Sequence, residues 1–123
     1  MSLIAYQRTR TITETARSTE HRLMMQITGE LIAARDSGKS GVALSRALFR
    51  NRELWSALAA ACAARGNQLP DPLRAAIVSL GLWVDRYTSD VVAGRDRIDP
   101  LIEVNRTIME GLHAGSAAAA PAN

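Results

Sequence analysis

The sequence predicts an all-α protein, a compact bundle of about four helices with a mobile N-terminal arm and a disordered, alanine-rich C-terminal tail. Two observations carry this prediction. Apolar residues recur at spacings of three and four in four successive segments, as one face of a helix requires, and no segment shows the alternation typical of a strand. Glycines and Asp-Pro pairs stand between these segments, where they end and start helices.

The length of 123 residues predicts one domain. We expect three regions: an N-terminal arm or weak helix over 1–17, a helical domain over 18–112 and a disordered tail over 113–123.

The first 17 residues combine an apolar tip, Leu3 to Tyr6, with a threonine-rich stretch. β-Branched residues weaken helix propensity, so this segment predicts a weak helix or a mobile arm. Two helix starts compete here. Thr11 with Glu14 fits a capping box, and Ser18 is a second candidate N-cap.

The first strong helix carries a stripe that consists of Leu23, Met24, Ile27, Leu31 and Ala34. The stretch 36–41, DSGKSG, ends it. Gly38 suits the position just after a helix, and Ser40 is expected to cap the next one.

The second strong helix runs from Ser40 to Arg65 and ends at Gly66-Asn67. Its stripe consists of Leu44, Leu48, Asn51, Trp55, Leu58 and Cys62.

The third helix is predicted to start with Asp71 as N-cap and Pro72 at the first helical position. Its apolar residues step by four and three, the seam spacing of packed antiparallel helices or of a short coiled coil. They are Leu73, Ile77, Leu80, Val84, Tyr87 and Val91. Gly94 ends this helix.

The last helix starts at Asp99-Pro100, and we expect Gly111 to end it. Its stripe consists of Leu101, Val104, Ile108 and Leu112, flanked by Ile102 and Met109.

Composition narrows the function classes. The formal charge is +3, and 14 of the 15 basic residues are arginines spread along the chain, whereas nucleic-acid binders concentrate them on one face. Only five residues are aromatic, too few for a base-stacking platform. No apolar run reaches the ~20 residues of a membrane span, and the N-terminus lacks a secretory apolar segment. We therefore expect a cytoplasmic protein that binds neither membrane nor, as its main partner, nucleic acid.

The residue types that perform chemistry are sparse. His21 and His113 lack partners at metal-ligand spacing, and Cys62 lies on an apolar stripe, as a buried structural thiol does. Gly38-Lys39-Ser40 lacks the leading glycine of a phosphate loop. No metal, cofactor, catalytic residue or small-molecule substrate is predicted, and the chain is not expected to be an enzyme.

Two asparagines, Asn51 and Asn105, lie within apolar stripes. A buried amide must find hydrogen-bond partners, because leaving it unpaired costs ~1–3 kcal/mol. Each asparagine is expected to bond a neighbouring helix end or loop backbone; the alternative is that one of them meets the backbone of a partner protein.

Phe49 and Trp83 lie off their stripes, and Val42 neighbours Phe49 on the helical wheel. They either belong to a core covered on two sides or line an apolar groove for a partner helix. Leu3, Ile4 and Tyr6 form a second candidate contact that could fold on binding.

Three segments carry a family resemblance: ALFRNRELWSALA at 47–59, NQLPDPLRAAIVSLGLWV at 67–84 and LIEVNRTIMEGL at 101–112. Together with AYQ at 5–7 they resemble the flagellar biosynthesis regulator FlaF over residues 3–112. The residues that carry the resemblance, as binding or structural positions, are Leu48, Asn51, Leu54, Trp55, Asn67, Leu69, Pro70, Leu73, Arg74, Ser79, Leu80, Gly81, Asn105 and Gly111.

The resemblance implies a non-enzymatic, cytoplasmic bacterial protein that promotes flagellin synthesis and export. It implies that the chain binds flagellin and acts as its dedicated export chaperone. A companion regulator of the FlbT type is implied as a further partner. The alternative is a post-transcriptional regulator that acts on flagellin mRNA, directly or through FlbT.

Overall fold

The chain forms four helices in the computed structural model, which describes residues 3–38, 41–64, 66 and 69–118, and their side chains except at 5–18 and 112–118. The helices are α1 (Leu3–Asp36), α2 (Val42–Ala63), α3 (Asp71–Val92) and α4 (Asp99–Ala118). No strand occurs within these ranges. The predicted all-α bundle of four helices is confirmed.

Each helix packs against two others: α1 and α3 each lie between α2 and α4. Neighbouring helices are antiparallel, because contacts near the start of one join the end of the next. Arg52 on α2 hydrogen-bonds Ser89 on α3, and Arg74 on α3 hydrogen-bonds Cys62 on α2. The same reversal joins α4 to α1 through Arg35 with Asp99 and Thr28 with Asn105. The result is an up-down-up-down bundle with short connections.

The core is the meeting point of the four predicted stripes. Trp55 is its largest fully buried side chain. Met24 and Leu31 from α1, Ile77 from α3 and Leu101 from α4 are also fully buried. Five stripe residues are partly exposed and pack at the edge of this core: Leu44, Leu73, Leu80, Tyr87 and Val104. Leu23 is more than one third exposed, so the α1 stripe is centred on Met24 and Ile27.

The N-terminal segment is helical from Leu3 onward, as part of α1. Thr11 and Ser18 therefore lie inside the helix, and both predicted N-caps are wrong. Whether 1–17 moves as an arm stays a prediction, since the side chains of 5–18 lie outside the described residues.

Several predicted helix ends shift. Gly41 precedes α2 without a side-chain cap, and Ser40 lies outside the described residues. Pro70 is the N-cap of α3, so Asp71 is its first residue and Pro72 its second. Gly94 follows the end of α3 as predicted, and its φ of 77° lies in the left-handed region that favours glycine.

Gly111 does not end α4, which continues to Ala118. Its role is packing, because a Cβ on Gly111 would lie 3.4 Å from Leu73 Cδ1. The predicted disordered tail therefore contains helical residues up to 118, and 119–123 lie outside the described residues.

Candidate partner-binding site

Val42 and Phe49 project from the outer side of α2. They are 76% and 60% exposed, and seven residues, or two helical turns, separate them. Phe49 is therefore not part of the core, and its contact with a partner helix stays a prediction. Arg46 is also exposed and lies between them on the same side of the helix. We call Val42, Arg46 and Phe49 the α2 outer face.

A shallow groove of about 430 Å³ lies beside this face, between α1 and α2. Alanines form much of its lining, and an ion pair between Glu30 and Arg50 crosses it. Its lining residues are Glu30, Ala33, Ala34, Ser37, Ala43, Arg46, Ala47 and Arg50. Small side chains allow close approach of a partner backbone, since the distance between packed helices follows the side chains at the contact.

Trp83 does not join this site. It is half-buried and stacks on Tyr87, with ring centroids 4.7 Å apart. The Tyr87 hydroxyl donates a hydrogen bond of 2.7 Å to the carbonyl of Arg97, just before α4. Burial, and then the negative charge of Asp96, raise the pKa of Tyr87. Both aromatic rings therefore take part in packing on the α4 side of α3.

Leu3 and Ile4 are strongly exposed at the other end of the bundle. The end of α1 adjoins the start of α2, so the helix rise places Leu3 about 50 Å from that junction. These residues therefore cannot share one small patch with the α2 outer face. The side chain of Tyr6 lies outside the described residues.

Sequence reasoning missed three exposed apolar side chains. Leu82 and Val92 on α3 are 65% and 63% exposed, and Met25 on α1 is also exposed. All three lie off the apolar stripes of their helices. Phe49 is singled out as an apolar residue off its helix stripe, and the same criterion identifies these three.

The two stripe asparagines meet in the centre of the core. The Asn105 amide donates to Asn51 Oδ1 at 2.8 Å and to Thr28 Oγ1 at 3.0 Å. Asn105 Oδ1 accepts a 2.7 Å hydrogen bond from the Trp55 indole. Both predicted alternatives are wrong, because the amides bond side chains of other helices instead of a helix end, a loop or a partner. Asn51 Nδ2 is buried with no hydrogen-bond partner.

Most of the other residues behind the family resemblance have structural positions. Arg74 donates to the Cys62 carbonyl at 3.0 Å and so caps the end of α2. A Cβ on Gly81 would lie 3.1 Å from Ala59 Cβ, so glycine lets α2 and α3 approach. Leu48, Leu54 and Leu69 are buried. Ser79 is exposed, and Asn67 lies outside the described residues.

Cys62 is buried as predicted, and desolvation, followed by the charge of Glu20, raises the pKa of its thiol. Within the described residues, no group of three or more His, Cys, Asp or Glu side chains is placed to hold a metal ion.

Arginines in the described part of the chain are mostly paired with acids. Seven of them form salt bridges: Arg35, Arg50, Arg52, Arg74, Arg95, Arg97 and Arg106. This pairing neutralises much of the positive charge that a phosphate backbone would need. The other three arginines with described side chains, Arg22, Arg46 and Arg86, have no acidic partner among the described residues.

None of the helices in the described ranges has the length and hydropathy of a membrane span.

Comparison with known proteins identifies a family. Residues 2–112 match the sequence profile of a family described as flagellar protein FlaF. The chain matches no curated protein and no solved structure.

Proposed function

The chain belongs to the FlaF family of flagellar proteins, and we propose that it is a non-enzymatic, cytoplasmic export chaperone that binds flagellin and thereby promotes flagellin synthesis and export. The observation that carries this proposal is the α2 outer face. Its two exposed apolar side chains, two turns apart beside an alanine-lined groove, form a surface on which an amphipathic helix can dock.

Masking is the mechanism that such a surface supports. Flagellin would contribute a helix whose apolar side covers Val42 and Phe49 while it is held in the cytoplasm. Covering that side lowers aggregation, because exposed apolar patches associate with one another. A companion regulator of the FlbT type is a further proposed partner.

Binding to flagellin tests the proposal. The full chain is mixed with flagellin from the same organism, and calorimetry is run at two salt concentrations and several temperatures. We expect binding that changes little with salt and has a negative heat-capacity change, the marker of buried apolar surface. Phe49→Ser should weaken it at least tenfold, whereas the matched control Leu82→Ser, on α3, should not.

The same experiment addresses the alternative, an RNA-binding regulator. If flagellin does not bind, flagellin mRNA is titrated next. The logarithm of the RNA-binding constant would fall linearly with the logarithm of salt concentration, because phosphate contacts release counterions. The pairing of seven arginines with acids favours the protein partner.

A further inference from the structure

The charges on and beside the α2 outer face determine which charged residues a docked partner helix can carry. Arg46 lies between Val42 and Phe49, and it has no acidic partner among the described residues. Arg50, one turn further, is already paired with Glu30 across the groove. Arg46 is therefore the basic group of this site that can accept a carboxylate without breaking an existing ion pair.

Glu53 adds a second charge of opposite sign. It is exposed and lies seven residues after Arg46, on the outer half of the same helix. Along α2 the docking surface thus carries a positive charge at Arg46 and a negative charge at Glu53, about 10 Å apart along the axis. An acidic side chain of a docked helix is attracted where it lies opposite Arg46. A second acidic side chain two turns along, opposite Glu53, is repelled and weakens binding.

The length of the surface sets the size of its occupant. Val42 and Phe49 are two turns apart, so a helix that covers both must present at least two turns of apolar residues. The alanine lining provided by Ala33, Ala34, Ala43 and Ala47 leaves room for its backbone beside them.

We propose that the groove between α1 and α2 binds an amphipathic helix of flagellin that carries an acidic side chain between its apolar residues, paired with Arg46. This inference rests on the proposed function, since flagellin is the partner assumed there. Beyond that function, this inference specifies an acidic, amphipathic helix of flagellin and names Arg46 as the residue that selects it. The apolar contacts supply affinity, and the charge pair sets the register and excludes helices with a base at that position.

Charge reversal tests this assignment in the full chain. Wild type, Arg46→Glu and the control Arg86→Glu are compared for binding to full-length flagellin at low salt. Arg86 is exposed on α3 and also has no acidic partner among the described residues, so both variants change the net charge equally. We expect Arg46→Glu to weaken binding about tenfold and Arg86→Glu to leave it within about twofold.

Overlapping synthetic peptides that span flagellin then identify the bound segment. The captured peptide should be an amphipathic helix with a central Asp or Glu. Replacing that acid by Lys should lower binding to wild type and restore binding to Arg46→Glu.

The outcomes separate the two proposals. Failure of wild type to bind flagellin overturns the proposed function. Flagellin binding with equal losses in both arginine variants, with no loss in Arg46→Glu, or through a peptide without a central acid overturns this inference and leaves the proposed function in place.

Discussion

Asn105 Nδ2 donates a hydrogen bond of 2.8 Å to Asn51 Oδ1 at the centre of the bundle, where both side chains are fully buried. This contact joins α4 to α2, and the bonds of Asn105 to Thr28 and Trp55 join α4 to α1 and again to α2. Buried polar pairs of this kind select one helix register, because any slip leaves their groups unpaired. We infer that this network sets the alignment of three of the four helices.

The two asparagines should contribute unequally to stability. Asn105→Leu removes three hydrogen bonds and strands the Trp55 N–H in the core, so we expect a loss of about 2–4 kcal/mol in the free energy of unfolding. Asn51→Leu removes one bond and also an unpaired amide nitrogen, so its cost should be about 1 kcal/mol or less. Urea denaturation of both variants measures the difference. Equal costs would contradict the hydrogen-bond arrangement described.

Substitutions of Phe49 and Trp83 should change the free energy of unfolding by different amounts, although both residues lie off their stripes. Phe49→Ser removes an exposed ring, so we expect a change within about 0.5 kcal/mol. Trp83→Ala removes a half-buried ring stacked on Tyr87, and we expect a loss of about 1–3 kcal/mol. Thermal unfolding followed by circular dichroism makes the comparison. A large loss for Phe49→Ser would place that ring in the core and remove the basis of the docking surface.

Replacing each of two helical glycines by leucine should have opposite effects on the stability of the fold. At Gly81 the added Cβ meets Ala59 at 3.1 Å, so Gly81→Leu forces α2 and α3 apart and should cost about 1–3 kcal/mol. At Gly29 nothing lies within 4 Å, so Gly29→Leu should stabilise α1 by up to about 1 kcal/mol through helix propensity. Chemical denaturation of the pair is the test. A neutral Gly81→Leu would mean that the two helices do not need this close approach.

Asp99 predicts a dependence of stability on acid pH. Partial burial, the largest single contribution, acts to raise the pKa of this carboxyl, but Arg97 and the hydrogen bond from Arg35 together hold it below its ordinary value. A carboxyl with a lowered pKa contributes stability above its unfolded-state pKa and loses it as pH falls through the folded-state value. The advantage of wild type over Asp99→Asn should therefore shrink below about pH 4. Urea titrations at pH 7 and pH 3 measure it, and an advantage that stays constant would contradict this assignment.

Cys62 should react slowly while the chain is folded. Its side chain is buried, and the raised pKa keeps the thiol protonated near neutral pH, whereas the thiolate is the reactive form. A thiol reagent such as DTNB should modify it at the rate of global or local opening and at once in denaturant. Fast modification of native protein would show that the end of α2 is open to solvent.

Local sequence signals predicted most of the helices. The spacing of apolar residues placed the stripes of α2, α3 and α4 correctly, because burial of one helix face selects the 3.6-residue period. The predicted boundaries were less accurate. Thr11, Ser18 and Gly111 all suit helix ends by residue type, yet each lies inside a helix. Residue preferences at helix ends are weak, and packing against neighbouring helices outweighs them.

The sequence by itself determined the all-α class, the number of helices, the family and the faces that turn inward, because each depends on local periodicity or on a continuous pattern of residues. The tertiary structure decided which neighbours those faces meet. Only the bundle shows that Asn51 and Asn105 bond each other, that Trp83 packs on Tyr87 while Phe49 stays exposed, and that the Glu30–Arg50 pair leaves Arg46 without an acid among the described residues. Each of these outcomes depends on side chains that lie far apart in the chain and meet only after the helices pack.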